Sequence, residues 1–81
     1  MIKILRAKVA DAKEMRRLET SVWGEEVTNK YALPMFIRFG EAFVAKEGKR
    51  ILVGIYGYRT MGNSFYVSDW FVDEHYRKHE I

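Results

Sequence analysis

Residues 64–73, SFYVSDWFVD, are the most informative stretch of the chain, and they run directly into the charged segment 74–81, EHYRKHEI. The alternation of aromatic and β-branched residues with polar ones predicts a β-strand. The acidic pair that follows the last apolar residue, Asp73 and Glu74, predicts a turn. The chain therefore presents a strand that leads through a tight turn into a basic segment.

Two further strands precede this one and are joined to it by short turns. Residues 41–46, EAFVAK, and residues 50–60, RILVGIYGYRT, alternate with the period of a strand. The connecting sequences EGK and MGN contain the residues that favour hairpin turns. We therefore predict three antiparallel strands in succession. Gly54 and Gly57, inside the middle strand, predict a bulge or a place where another group approaches the backbone closely.

The N-terminal part of the chain contains a strand and a first helix. Residues 2–9, IKILRAKV, alternate and predict the strand. Asp11 followed by Glu14 has the spacing of a capping box with Asp11 as the N-cap, which predicts a helix start. The apolar stripe of this helix is predicted to be Met15, Leu18 and Val22.

A second helix follows a polar connection over residues 23–29. We predict that it ends near Phe39, because Gly40 can adopt the left-handed conformation on which helices commonly finish. Pro34 fits the first turn of a helix, so the helix either begins at Pro34 or is longer and distorted there. Its core-facing stripe is predicted to be Met35, Phe36 and Phe39.

The element order is therefore β-α-α-β-β-β, which predicts an α+β fold: an antiparallel sheet with two helices, in a single domain over residues 1–81. The chain has 81 residues, 48% of them hydrophobic, and no cysteine. These numbers allow one small core, with neither a disulfide framework nor a cysteine-type zinc site to stabilise it.

The net charge and the hydropathy of the chain indicate which classes of binding partner and which cellular compartment to expect. The net charge of +3 is spread among interspersed acidic and basic residues, whereas nucleic-acid-binding proteins cluster basic residues on one face. No segment approaches the roughly 20 apolar residues of a membrane span, and the N-terminus lacks the apolar stretch of a secretory signal. We expect a cytoplasmic protein with no membrane partner and no nucleic-acid partner.

Two histidines near the end of the chain have a spacing that also occurs in metal sites. His75 and His79 are four residues apart, so they would share one face of a helix and could bind a metal ion. The order differs from His-Glu-x-x-His, because Glu74 precedes the first histidine. The favoured interpretation is a pair of solvated residues, and no metal site is predicted.

Three stretches, IKILRAKVADAKEMRRLE, FVAKEGKRILVGIYGY and YVSDWFVDEHYRKHEI, resemble the Gcn5-related N-acetyltransferase (GNAT) family. Members of this family transfer an acetyl group from acetyl-CoA to an amine. Their fourth strand ends in an apolar residue such as Val72, followed by an acidic turn and a Tyr-Arg pair, here Tyr76 and Arg77. The resemblance covers the whole chain and the N-terminal half of a family domain.

The resemblance implies an acetyl-CoA site on the fourth strand. The backbone N–H of Trp70 would polarise the thioester carbonyl, and that of Val72 would bond the pantetheine arm. Arg77 and Lys78 would open the loop that holds the pyrophosphate. Glu80 occupies the first glycine position of that loop, where a carboxylate opposes the binding of an anion.

The resemblance also implies a general base near this strand, which takes the proton of the acceptor ammonium. Asp69 and Asp73 are candidates, and Tyr66 lies where some relatives carry a glutamate. The tyrosine that protonates the leaving thiolate in the family is expected in the C-terminal half of the domain. Residues that border the acceptor pocket by the same resemblance are Trp23, Glu25 and Tyr31.

Two hypotheses of function follow. In the first, the chain is a truncated GNAT-like N-acetyltransferase that is inactive until a missing segment or a partner polypeptide completes it. In the second, it is a non-catalytic, homo-oligomeric interaction module built on the half-fold. In either case the sheet would expose one apolar face and the edge formed by residues 64–73, so we expect the chain to bind copies of itself through one of them.

Overall fold

A computed structural model of the chain describes residues 2–24 and 31–76. Its four strands form one antiparallel sheet in the order β1-β2-β3-β4, so that β4 is an edge strand. The predicted α+β order of elements is confirmed. The elements are β1 (Ile2–Arg6), a 3-10 turn (Val9–Asp11), α1 (Ala12–Trp23), α2 (Ala32–Phe39), β2 (Glu41–Glu47), β3 (Arg50–Arg59) and β4 (Phe65–Val72).

The hydrophobic core lies between the two helices and one face of the sheet. Val44 pairs with Gly54, and Gly54 pairs with Phe71, so these three residues share the covered face. Met15 and Leu18 of α1 pack in the same buried cluster as Val44 and Phe71. Burial of these side chains provides the main driving force for folding. The predicted stripe of α1 is confirmed at these two positions.

The opposite face of the sheet is apolar and carries no helix among the residues that the structure describes. Ile4 lies on this face with a side chain that is 79% exposed. Its cross-strand neighbours extend the apolar surface to the far edge of the sheet. One row consists of Ile4, Ala45, Val53 and Val72, and the next consists of Arg6, Phe43, Ile55 and Trp70.

The first strand is shorter than predicted. It ends at Arg6, and the N–H of Ala7 makes one further bond, to the carbonyl of Ala42 at 2.9 Å. The chain then turns, so that Val9 lies exposed in the 3-10 turn and not on the sheet. The alternating pattern of residues 2–9 is therefore longer than the strand that these residues form.

The predicted capping box at the start of α1 does not form. Asp11 is the N-cap residue, but its carboxylate accepts the N–H of Lys8 at 2.9 Å and contacts Nζ of Lys46 at 2.7 Å. Glu14 pairs with Arg17 one turn further along the helix. Asp11 thus stabilises the preceding turn and connects it to β2.

Helix α2 begins two residues before Pro34, which lies in its first turn as predicted. It ends at Phe39, as predicted, but the φ angle of the C-cap residue Gly40 is −110°, so the predicted left-handed cap is wrong. A Cβ atom at Gly40 would overlap the carbonyl oxygen of Gly57. Glycine is required there by the close approach of β3.

The predicted core stripe of α2 is wrong at two of its three positions. Leu33 is buried, and Phe36 and Ile37 pack partly against the core. These positions are three and four residues from Leu33 and share its face, whereas Met35 and Phe39 lie on the far side of the helix. Phe39 is 84% exposed as a result. No helix in the described segments is long and apolar enough to cross a membrane.

Candidate functional site

The open edge of β4 presents the backbone groups of Trp70 and Val72. The N–H of Asp73 donates to the carbonyl of Leu52 at 2.8 Å, which directs it towards β3. Successive residues of a strand direct their backbone groups to alternate sides, so the N–H and C=O groups of Val72 and Trp70 point away from β3. Because β4 ends the sheet, these groups face the open edge.

A β-bulge lies directly beside these groups. Tyr56 pairs with Asp69, but the next residue of β3, Gly57, pairs with Val67, so Ser68 is the extra residue in β4. A bulge bends its strand and changes the face to which the following side chains point. The predicted special role of Gly57 is confirmed, because a Cβ atom there would overlap backbone atoms of β4.

The bulge places Tyr66 and Asp69 on the same face of the sheet. Residues three apart in a regular strand point to opposite faces. Here Asp69 lies opposite Tyr56 and Tyr66 lies opposite Tyr58, and these two tyrosines of β3 share a face. The exposed rings of Tyr58 and Tyr66 stack with their centroids 5.0 Å apart. Two predicted catalytic residues therefore project from one side of β4.

The two carboxylate oxygens of Asp69 differ: one accepts a hydrogen bond, and the other is buried. Oδ1 accepts the N–H of Trp70 at 2.8 Å. Oδ2 is buried and has no hydrogen-bond partner within the described segments. A buried carboxylate oxygen without a donor is destabilising unless something supplies a proton or a hydrogen bond. Oδ2 of Asp69 is therefore an unfilled hydrogen-bond acceptor next to the backbone of Trp70.

Trp23, the last residue of α1, reaches over the edge of β4. Its indole Nε1–H donates to the carbonyl of Trp70 at 2.7 Å, and the two indole rings meet edge to face with centroids 6.1 Å apart. The sequence indicated Trp23 only as a residue that borders the acceptor pocket. Its partner is 47 positions away, and no local pattern indicates such a contact.

A buried hydrogen bond lies behind this site. The hydroxyl of Tyr56 donates to Oε2 of Glu19 at 2.7 Å, and Glu19 is only 1% exposed. Burial and the adjacent Glu19 carboxylate raise the pKa of Tyr56 above its usual value, so the hydroxyl keeps its proton. Glu19 was not predicted as a functional residue, although it directly follows Leu18 of the core stripe in the sequence.

Asp73 caps the start of a helical segment, and its hydrogen bonds make it poorly suited to act as a general base. Its carboxylate accepts a bond from Arg50 at 3.0 Å and from the N–H of His75 at 2.9 Å, and residues 74–76 are helical. Burial alone would raise the pKa of Asp73, but the Arg50 and backbone bonds outweigh it and lower that pKa. A carboxylate with a lowered pKa is a poor proton acceptor.

A cavity adjoins this end of β4. It has a volume of about 380 Å³ and lies between α1 and the segment that follows Val72. The residues predicted to bind the pyrophosphate, Arg77 and Lys78, lie outside the described residues, as do His79 and Glu80. The residues that line the cavity are Ser21, Val22, Val72, Asp73, Glu74 and His75.

The architecture is shared with solved acetyltransferases. A GNAT-family acetyltransferase from Bacillus cereus ATCC 10987 matches 91% of this chain over 51% of its own, with a TM-score of 0.77 and 16% identity. A ribosomal-protein-alanine N-acetyltransferase from Brucella melitensis biovar Abortus 2308 matches 100% of this chain over 63% of its own, with a TM-score of 0.70 and 17% identity. An aminoglycoside antibiotic 6'-N-acetyltransferase from Acinetobacter baumannii matches 98% of this chain over 62% of its own, with a TM-score of 0.71 and 14% identity.

These similarities define the class of fold. The chain spans 51% to 63% of the length of the three structures that it matches. No model of a protein family and no curated protein sequence matches the chain. The likeness is therefore one of fold: the chain has the fold of the GNAT acyl-CoA N-acyltransferases over part of their length, and the resemblance seen in the sequence is confirmed at that level.

Proposed function

We propose that this chain forms the acyl-thioester-binding part of an N-acetyltransferase that transfers an acetyl group from acetyl-CoA to an amine. The observation that carries this proposal is the open edge of β4. There, beside a bulge, the N–H groups of Trp70 and Val72 point outward from a GNAT-type sheet.

The exposed edge of a strand binds an extended ligand as it would bind another strand. In this proposal the N–H of Val72 donates to an amide carbonyl of the pantetheine arm. The N–H of Trp70 donates to the thioester carbonyl, where it stabilises the negative charge that develops as the amine nitrogen attacks. Arg77 and Lys78 are proposed to bind the pyrophosphate by charge.

Asp69 is proposed as the general base. The amine nitrogen forms a bond to the thioester carbon, the carbon–sulfur bond breaks, and the thiolate of CoA leaves. Oδ2 of Asp69 takes the proton that the nitrogen loses. Tyr66, on the same face and exposed, is proposed to orient the acceptor amine through its hydroxyl. Because the solved structures of this fold are longer, groups outside these 81 residues are proposed to complete the site.

The backbone role of Val72 can be tested by calorimetric titration with acetyl-CoA. Val72→Pro removes the outward N–H without removing a sheet hydrogen bond, since proline is tolerated on an edge strand at such a position. The loss of one hydrogen bond is expected to weaken binding about two- to ten-fold. Val72→Ala keeps the N–H and is the matched control. Equal affinities of the proline and alanine variants would contradict the proposed contact.

A second candidate function is supported by the uncovered face of the sheet. Its two rows, which are apolar except for Arg6 and include Ile4 and Trp70, are an exposed surface of the kind that associates with a partner. We propose that the chain binds copies of itself through this face, as a homo-oligomeric module in the absence of catalysis or as a way to complete the enzyme. A cytoplasmic location belongs to the same proposal.

A further inference from the structure

Two side chains of the protein already occupy the edge position that a ligand of β4 would use. The carbonyl of Trp70 accepts the indole N–H of Trp23 at 2.7 Å, and the N–H of Trp70 donates to Oδ1 of Asp69 at 2.8 Å. Both outward backbone groups of Trp70 are therefore satisfied internally. No side chain in the described residues accepts a hydrogen bond from the outward N–H of Val72. Only the backbone groups of Trp70 are therefore blocked.

The closed arrangement depends on contacts that a side-chain rotation would break. Trp23 is 46% exposed and Trp70 is 48% exposed, so the indole pair lies at the surface. One hydrogen bond and one edge-to-face ring contact connect the end of α1 to β4 at this point. Each of these interactions is individually weak. A bound ligand that makes its own hydrogen bonds to the edge can replace them.

We propose that Trp23 is a gating residue of the acyl-thioester site. In the closed state its indole caps the carbonyl of Trp70 and covers the edge of β4. An acyl-thioester arm pairs with the edge only after the indole leaves, and its thioester carbonyl then replaces Oδ1 of Asp69 as the acceptor of the Trp70 N–H. The inference rests on the proposed function, because the ligand that displaces Trp23 is the acyl arm.

The chain contains a built-in reporter of this event. Trp23 and Trp70 are its only two tryptophans, and two indoles in contact give an exciton couplet in the far-ultraviolet circular dichroism spectrum. The couplet should be present in the free protein and absent from Trp23→Phe and from Trp70→Phe. Titration of the wild-type chain with acetyl-CoA, or with S-acetylpantetheine, which lacks the pyrophosphate, should abolish it in step with binding.

Affinity provides the second readout. Trp23→Phe keeps an aromatic ring but removes the indole N–H, so it weakens the closed state. We expect it to bind acetyl-CoA about two- to ten-fold more tightly than the wild type. Phe39→Leu, on the exposed side of α2, is the matched control and should bind like the wild type. Urea denaturation of each variant checks that it is folded.

The possible outcomes separate the gate from the proposed function. A couplet that persists at saturating acetyl-CoA, with equal affinities for the wild type and Trp23→Phe, would overturn the gate and leave the proposed function intact. Binding to Trp23→Phe but not to the wild type would support a tightly closed gate. No binding to either protein, with either ligand, would overturn both.

Discussion

At the scale of single residues, the hydroxyl of Tyr56 connects the core to the candidate site. It donates to the buried carboxylate of Glu19, which fixes α1 against β3. A buried carboxylate is costly unless donors satisfy it, so this bond constrains the position of the helix. Trp23 lies one helical turn after Glu19, and Asp69 lies directly opposite Tyr56. The pair therefore lies next to both side chains that close the edge of β4.

The substitution Tyr56→Phe removes this donor while it keeps the ring in the core. We expect the free energy of unfolding to fall by about 1–3 kcal/mol, because the buried Glu19 carboxylate loses a hydrogen bond. Urea denaturation measures the change. Tyr58→Phe, at an exposed position, is the control and should change stability by less than about 0.5 kcal/mol. A similar loss of stability in both variants would show that the buried hydrogen bond stabilises the protein no more than an exposed tyrosine hydroxyl does.

At the scale of secondary-structure elements, the bulge in β4 is the feature that shapes the site. It brings Tyr66 and Asp69 to one face and depends on the close approach of Gly57 to β4. It also leaves the following residues, Trp70 and Val72, with their N–H groups towards the open edge. Without the bulge, the two predicted catalytic side chains would lie on opposite faces.

Gly57→Ala tests this dependence on the glycine. The added Cβ atom would overlap the carbonyl of Tyr66, and the contact is with backbone, so relief requires β4 to shift. We expect a loss of roughly 2 kcal/mol or more in the free energy of unfolding. Gly62→Ala is the matched control, because a Cβ atom at Gly62 meets nothing within 4 Å. A stable Gly57→Ala variant with unchanged acetyl-CoA affinity would contradict the role of the bulge.

How well each element could be predicted from the sequence depended on how far apart in the sequence its interacting residues lie. The three-strand meander and the glycines of β3 were predictable, because strand periodicity and turn residues are local signals. The exposure of Phe39 was not, because the short helix α2 is positioned by Leu33 and by the sheet. The hydrogen bond from Trp23 to the carbonyl of Trp70 could not be predicted from local patterns either, because it depends on how α1 packs against β4.

At the scale of the whole molecule, the sheet is covered on one face only within the described residues. The uncovered face presents Ile4, with its row of apolar neighbours, to solvent. Exposed apolar surfaces of this kind promote association, and a small single-layer core has little stability in reserve. Association or a completing segment would each bury the face.

We predict that the chain sediments as an oligomer and that Ile4→Lys converts it to a monomer. A charge within an apolar interface is unfavourable, because it must be desolvated without a partner. Analytical ultracentrifugation over a range of concentrations measures the result. Phe39→Lys, which places the same charge on the helix layer, is the control and should leave the association unchanged. A monomeric wild-type chain at every concentration would contradict this prediction.

Binding of acetyl-CoA at the edge of β4 can be followed residue by residue in a titration of the isotopically labelled chain, through the amide resonances of its backbone. We predict saturable shifts that are largest at Trp70 and Val72, with a parallel shift of the Trp23 indole N–H. An absence of saturable shifts at millimolar acetyl-CoA, or shifts centred on residues away from β4, would contradict this prediction.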